Sequence, residues 1–196
     1  MNIEIRAEGV HIYGYVNVTG KKSRPVITPH GKCVEVIEER AFESAIQKSG
    51  DVSVTVDHDN SHIYACTKNG TLKLFEDSIG LHADVIITDP DLIEIAKKGK
   101  IRGWSFGMYN IVDELEQRAD DIPIRHVKDL VLDHLTLVVK KTPIYAATSV
   151  EVRANDEVDI EHRAFEGSVN LTVIEPSPNV DYSDYEKRIA SIKAAE

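Results

Sequence analysis

The chain has 196 residues, of which 42% are hydrophobic and 29% charged, and its formal net charge is −10 at pH 7, which is typical of a globular domain with its own core. The acidic balance and the lack of a long Lys/Arg run argue against direct nucleic-acid binding. Two cysteines without a CxxC or disulfide framework, a start without a signal-peptide core and no run of roughly 20 apolar residues predict a cytosolic protein that does not cross a membrane.

The first part of the sequence predicts strands interrupted by one short helix. Alternating polar and apolar residues over residues 3–18 indicate the opening strands. Residues 38–49 are predicted to be helical up to a stop at Gly50, because four apolar side chains share one stripe: Ala41, Phe42, Ala45 and Ile46. A strand over residues 52–56 follows, and His58 continues the parity of its valines. We therefore expect the His58 ring to point toward the interior at the end of that strand.

The middle of the sequence carries the clearest helix signal. A strand over residues 79–87 is followed by Asp89 as N-cap and Pro90 at the first helical position. Lysines occupy the last turn, and Gly99 comes directly after it. This helix is predicted to lead the chain into the next strand.

That next strand is the stretch Gly103-Trp104-Ser105-Phe106-Gly107. Its side chains alternate between two faces, one with large apolar groups and the other with only the Ser105 hydroxyl between two glycines. The bare face predicts open space in which another backbone can approach the hydroxyl. These five residues alone fit a tightly packed strand with an incidental serine equally well.

A long apolar strand is predicted after a polar connection. Residues 113–123 are polar and indicate a loop or a hairpin. Residues 130–139 are apolar on both faces, which predicts burial on both sides, as in a closed barrel. His134 lies in the middle of this strand, so its imidazole needs partners, because an unsatisfied buried polar group costs about 1–3 kcal/mol.

Ser105, His58 and His134 are the candidate site residues, since one hydroxyl and two inward imidazoles can satisfy one another. A serine hydroxyl becomes a good nucleophile when an adjacent base takes its proton, and a third group must hold that base in the right tautomer. The set therefore favours nucleophilic acyl transfer. Asp133 is next to His134, but strand alternation predicts that it points to the opposite face. A neutral His134 as the third group predicts a slow enzyme.

The character of the chain changes after residue 153. We predict one domain over residues 1–153, followed over residues 154–196 by a polar linker and a C-terminal helical extension. Four side chains near the end begin a heptad seam: Tyr182, Tyr185, Ile189 and Ile192. Residues 161–166 echo residues 38–43, which we interpret as chance or as a weak self-recognition motif.

Several motifs together resemble the prohead (capsid maturation) protease family of tailed phages. They occur in the family's order over roughly residues 10–150, and they are Arg40-Ala41-Phe42, Val56-Asp57-His58-Asp59, Glu76-Asp77-Ser78-Ile79-Gly80-Leu81, Gly99 to Gly107, Leu132-Asp133-His134-Leu135-Thr136 and Thr142-Pro143-Ile144-Tyr145. The His-Asp block and the Gly-x-Ser-Phe-Gly block are fairly specific as a pair. The family often has glutamate where this sequence has His134, and a Ser-His-His set is similar to herpesvirus maturation proteases.

The resemblance implies a mostly β fold, an antiparallel β-barrel with flanking helices like that of herpesvirus proteases. It implies a serine endopeptidase with Ser105 as nucleophile, His58 as general base and His134 as the third member, without a cofactor or a metal. The expected substrates are scaffold protein, or the scaffolding segment of the capsid protein, and the enzyme itself. The expected place is the assembling prohead in the host cytoplasm, and self-association as a dimer is expected from related viral proteases.

Three other functions stay open from the residues. Gly103 to Gly107 fits the Gly-x-Ser-x-Gly elbow of an esterase, although that motif needs a strand, a turn and a helix. His58 and His62 are four residues apart, as in a helical zinc motif, but this segment is predicted to be a strand end and a loop. An inactive relative that serves as a scaffold or capsid-interaction module is the third.

Overall fold

The computed structural model describes residues 1–119, 121–140, 150–152, 159–165 and 168–174. Within these ranges the chain forms thirteen strands and two helices. In chain order they are β1 (Asn2–Arg6), β2 (Gly9–Val18), β3 (Pro25–Thr28), β4 (Gly31–Ile37), α1 (Ala41–Lys48), β5 (Ser53–Val56), β6 (Ala65–Cys66), β7 (Leu72–Glu76), β8 (Gly80–Ile87), α2 (Pro90–Lys97), β9 (Gly103–Glu116), β10 (Ile124–Val138), β11 (Val150–Val152), β12 (Asp159–Phe165) and β13 (Asn170–Val173). No helix in these ranges is long and apolar enough to cross a membrane.

The strands form two sheets. One has the order β13-β1-β2-β8-β7, and the other runs β11-β12-β9-β10-β4-β3, with β5 also paired to β10 and β6 paired to β5. Most pairs are antiparallel, but β10 is parallel to both β4 and β5, and β1 is parallel to β13. The mostly β prediction is confirmed. The antiparallel barrel is not, because the sheets are mixed and neither closes among the described strands.

The burial of β10 on both faces has another cause than a barrel. Leu135 and Leu137 lie beside Phe106 and Trp104 of β9 on the face that belongs to the hydrophobic core. Helix α1 covers this face, and the rings of Phe42 and Phe106 meet edge to face at 5.4 Å. On the opposite face His134 and Thr136 are also almost fully buried, within a polar cluster. A strand that lies between a hydrophobic core and a buried polar cluster is buried on both faces, so its sequence resembles that of a barrel strand.

The local signals for the helices and the hairpin are confirmed. The carboxylate of Asp89 accepts the N–H of Leu92 at 2.9 Å and so caps α2, and Gly99 has a φ of 60° just after it. Helix α1 buries Ala41, Phe42 and Ala45 as its apolar stripe predicts. Strands β9 and β10 pair antiparallel as a long hairpin, and residues 113–116 of the predicted connection belong to β9.

The segment predicted as a polar linker contributes strands. Strand β12 pairs antiparallel with β9, and β13 pairs parallel with β1. Glu161 and Arg163 of β12 are buried in ion pairs rather than solvated. The two copies of the echoed hexapeptide differ in structure where they are described, since residues 41–43 of the first begin α1 and residues 161–165 of the second lie in β12. The predicted C-terminal helix lies outside the described residues.

Candidate active site

Ser105 is the third residue of β9, and a polar cluster lies on its own face of the sheet. Gly107 shares this face and lies opposite His134 of β10 on one side and His162 of β12 on the other. The bare face predicted from the sequence is therefore filled by imidazole rings, and Ser105 is only 1% exposed. Strand β12 occupies the edge of β9, so that edge is not open to a further peptide strand.

His58 reaches this face from a tight turn rather than from the end of a strand. Strand β5 ends at Val56, and both Asp57 (φ 48°) and His58 (φ 61°) have left-handed backbone. Such conformations cost of order 1–3 kcal/mol each in a non-glycine residue and persist where the surroundings fix them. Here the His58 N–H donates to Thr136 Oγ1 at 2.9 Å, and the Asp57 N–H donates to the Leu137 carbonyl at 3.0 Å. These two hydrogen bonds attach the turn to β10. His58 therefore points inward because of the turn and not because of the alternation of side chains along β5.

Four side chains form a continuous hydrogen-bonded chain. His58 Nε2 is 2.9 Å from Ser105 Oγ, His58 Nδ1 is 2.8 Å from His134 Nε2, and His134 Nδ1 is 2.6 Å from Asp133 Oδ2. An ionised carboxylate only accepts, so the proton of His134 is assigned to Nδ1 and its Nε2 accepts from His58 Nδ1. His58 Nε2 is then left with a lone pair that faces the serine hydroxyl. This is the tautomer that a general base for Ser105 requires.

Asp133 is a site residue that the sequence analysis placed on the wrong face. Regular alternation would separate it from His134, but the pairing of β10 with β9 shifts register between Leu132 and His134. Such an irregularity bends the strand and changes where successive side chains point. Asp133 and His134 therefore meet, and the cluster has a carboxylate after all.

His162 is a second residue that the sequence analysis missed. Its ring stacks on that of His58 with the centroids 3.8 Å apart and the planes 5° from parallel, and it meets the ring of His134 edge to face at 5.3 Å. His162 is 2% exposed. Its charged neighbours Glu161 and Arg163 made this segment look like a solvated linker, and no local signal in the sequence distinguishes the two.

The protonation of His58 is set by its surroundings. Burial, followed by the neighbouring His162 and His134, lowers the pKa of His58 from 6.5 to about 3. The ring is therefore neutral at physiological pH and free to accept a proton. It gains a positive charge only where something stabilises that charge, and Asp133 lies at the far end of the chain to do so.

Strand β12 is held by a buried ion network on the face opposite His162. Arg163 contacts Glu35 at 2.6 Å, and Arg125 contacts Glu161 at 2.6 Å; Arg125 also pairs with Asp113 and Arg163 with Glu161. Burial alone would lower the pKa of Arg125, but the surrounding carboxylates, with Glu161 foremost, raise it above its usual value. Burial likewise would raise the pKa of Glu161, and the two arginines lower it. Each of these side chains therefore stays ionised, because its oppositely charged partners offset the cost of burial.

The structure also bears on the esterase and zinc alternatives suggested by the sequence. Residues after Ser105 continue as strand to Glu116, which does not match the strand-turn-helix of an esterase elbow. His62 is exposed and pairs with Asp89 at 3.4 Å, so it does not join His58. The Lys140 N–H donates to the carboxylate of Asp57, with contacts of 3.2 and 3.3 Å.

The chain is similar in sequence to a known protein family. A sequence model described as caudovirus prohead serine protease matches residues 1–163. The match ends within β12, directly after His162, and it includes Ser105, His58 and His134. No curated protein and no solved structure matches the chain.

Proposed function

Because this chain belongs to the caudovirus prohead serine protease family, we propose that it is a serine endopeptidase of capsid maturation with Ser105 as its nucleophile. The observation that carries the proposal is the hydrogen-bonded chain from Ser105 through His58 and His134 to Asp133, with links of 2.9, 2.8 and 2.6 Å. Each link lies within the hydrogen-bond reach of about 2.6–3.2 Å expected between catalytic groups.

In the proposed reaction, Ser105 Oγ attacks the carbonyl carbon of the scissile peptide bond while its proton moves to His58 Nε2. The resulting imidazolium gives this proton to the leaving amine, which departs and leaves an acyl ester on Ser105. Water then repeats the two proton transfers, releases the carboxylic acid and regenerates the hydroxyl. The net reaction therefore consumes one peptide bond and one water molecule, and the enzyme is regenerated.

His134 and Asp133 have supporting roles in this proposal. His134 holds His58 in the tautomer whose Nε2 lone pair faces Ser105. The Asp133 carboxylate holds His134 in turn and stabilises the charge that develops on His58. A Ser-His-His set backed by a carboxylate is therefore the proposed catalytic machinery, rather than a Ser-His-His set that ends in a neutral ring.

The substrates proposed on the basis of the family are scaffold protein, or the scaffolding segment of the capsid protein, and the chain itself. Cleavage would take place inside the assembling prohead in the host cytoplasm. We also propose that the protein self-associates as a dimer and does not bind nucleic acid directly, since the net charge of −10 disfavours contact with phosphates.

A catalytically inactive module of the same fold is the second candidate. The observation that favours it is the burial of Ser105, which is only 1% exposed. A peptide carbonyl can reach Oγ only after a movement that uncovers the hydroxyl. A small electrophile requires less movement than a folded protein substrate and is the more direct probe.

The test is covalent labelling of the full chain by a fluorophosphonate, followed by identification of the labelled residue and by incubation with a scaffold partner. We expect label on Ser105 and cleavage of the chain or the partner, with both lost in Ser105→Ala. Ser61→Ala is the matched control, since Ser61 is exposed and only three residues from His58. Cleavage by Ser105→Ala at the wild-type rate would exclude Ser105 as nucleophile, and a folded wild type that neither labels nor cleaves would favour the inactive module.

A further inference from the structure

We propose that His58, His134 and His162 form a binding site for Zn²⁺, and that the ion switches the serine off when it binds. One ring nitrogen of each histidine lies within 4.8 Å of a nitrogen of the other two. The three come from a turn, from β10 and from β12, so the site exists only in the folded chain. It is a different site from the pair His58 and His62 suggested by their spacing in the sequence.

The ligand chemistry fits zinc. Neutral imidazole nitrogen is a preferred ligand of Zn²⁺, and three histidines with a fourth position for water form a common tetrahedral arrangement. His134 already donates its Nδ1 proton to Asp133 at 2.6 Å, which leaves Nε2 to bind the metal. Carboxylates behind a ligating histidine hold its tautomer and orientation in zinc sites in general. Asp133 therefore has the same relation to His134 in a metal site as in the proposed catalytic chain.

The geometry requires a small rearrangement. Zinc–nitrogen bonds of about 2.0–2.1 Å at tetrahedral angles place two nitrogens about 3.3 Å apart. His58 Nδ1 and His134 Nε2 are 2.8 Å apart and share one proton, so an ion that replaces this proton needs only a slight separation. His162 must leave its parallel stack on His58, because ligands of one ion direct their lone pairs to one point.

Metal binding at His58 Nδ1 has a chemical consequence for the opposite nitrogen. A neutral imidazole bound through Nδ1 carries its single proton on Nε2, so this proton moves from one ring nitrogen to the other through solvent. Nε2–H then faces Ser105 Oγ and cannot take its proton. Zinc and a reactive serine are therefore mutually exclusive, and removal of the ion restores the base. This second half of the inference rests on the proposed function, whereas binding of the metal does not.

The experiment titrates the full chain, freed of metals, with Zn²⁺ by calorimetry and with Co²⁺ by visible absorption. We expect one ion per chain, four-coordinate Co²⁺ bands and displacement of Co²⁺ by Zn²⁺. His162→Phe retains an aromatic ring for stacking but offers no ligand, so it should weaken binding at least ~10-fold, since even changes behind the ligands cost 10–100-fold. Asp133→Asn should weaken it within that range, and His62→Ala should leave it unchanged.

The results that overturn the inference are direct. Absence of stoichiometric Co²⁺ binding to the folded wild type refutes the site, whatever the variants do. Wild-type affinity in His162→Phe removes His162 from it, and loss of binding in His62→Ala would indicate the other pair. Ser105→Ala should bind Zn²⁺ like the wild type, so binding is measurable even if the chain is not a protease. If the wild type labels with phosphonate and binds zinc but labelling does not slow as zinc saturates, the switch is wrong and the proposed function stands.

Discussion

Replacement of Asp133 by asparagine tests the least expected part of the site. Asparagine can still accept a hydrogen bond from His134 Nδ1 through its amide oxygen, so the change mainly removes the charge. Two hydrogen bonds of 2.6 and 2.8 Å and the width of one imidazole separate the carboxylate from the His58 ring. At roughly 8 Å and an effective dielectric constant of about 20, the lost attraction for an imidazolium is about 2 kcal/mol. The acylation rate of Ser105 should fall roughly 30-fold.

The assay is the second-order rate of fluorophosphonate labelling at Ser105, measured on the full chain at a pH where wild type is fully active. Asp129→Asn is the matched control, because it makes the same substitution in the same strand at a carboxylate that pairs with Lys48 outside the cluster. Circular dichroism verifies that both variants fold. A labelling rate in Asp133→Asn equal to that of Asp129→Asn would show that the carboxylate does not support the base. A loss far above 10³-fold would instead indicate that His134 has changed its tautomer.

Three further predictions address the base, its titration and the ion network. His58→Ala should slow labelling of Ser105 by roughly 10²–10⁴-fold, the usual contribution of a general base, and His134→Ala by less; equal and complete losses would contradict this division of roles. Burial lowers the pKa of His58 from 6.5 in the unfolded chain to about 3 in the folded chain. As the pH falls, the unfolded chain therefore takes up a proton on His58 before the folded chain does. The contribution of His58 to stability is complete above about pH 6.5 and is lost as the pH falls toward 3. Urea unfolding over this pH range should show a shallower acid loss in His58→Gln, and parallel curves would refute the assignment. Glu161→Gln removes one partner from the buried arginines and should lower the free energy of unfolding by about 3 kcal/mol; a change below about 1 kcal/mol would mean that the network is compensated elsewhere.

Features that depend on residues close together in the chain could be predicted from the sequence. The cap at Asp89, the two-faced strand around Ser105 and the stripe of α1 depend on neighbours within a few residues, and each is confirmed. The inward direction of His58 was predicted from the parity of β5, yet the structure achieves it through two left-handed residues. The prediction was right and its reason was wrong, because a turn fastened to β10 cannot be seen from β5 alone.

The two missed residues show where such reasoning fails. Asp133 was excluded by strict alternation, which holds only while the register is regular, and the shift between Leu132 and His134 breaks it. His162 was passed over because charged neighbours indicate solvent when a segment is considered by itself. In the structure those charges meet Glu35 and Arg125 from distant parts of the chain. Pairs that are 36 and 128 residues apart in the chain leave no pattern within a window of ten.

Strand β12 has one face in the buried ion network and the other face against the candidate active site. Glu161 and Arg163 point into the ion network, while His162, between them in the chain, lies against His58 on the other face. A strand with buried charges on one side cannot slide by one residue without exchanging its faces, which would put an imidazole among the arginines and charges beside Ser105. The network therefore fixes the register of β12 and with it the position of the His162 ring. A chain that ended at residue 153 would lack this ring, and it would leave the buried charges of Glu35 and Arg125 without the partners that β12 supplies.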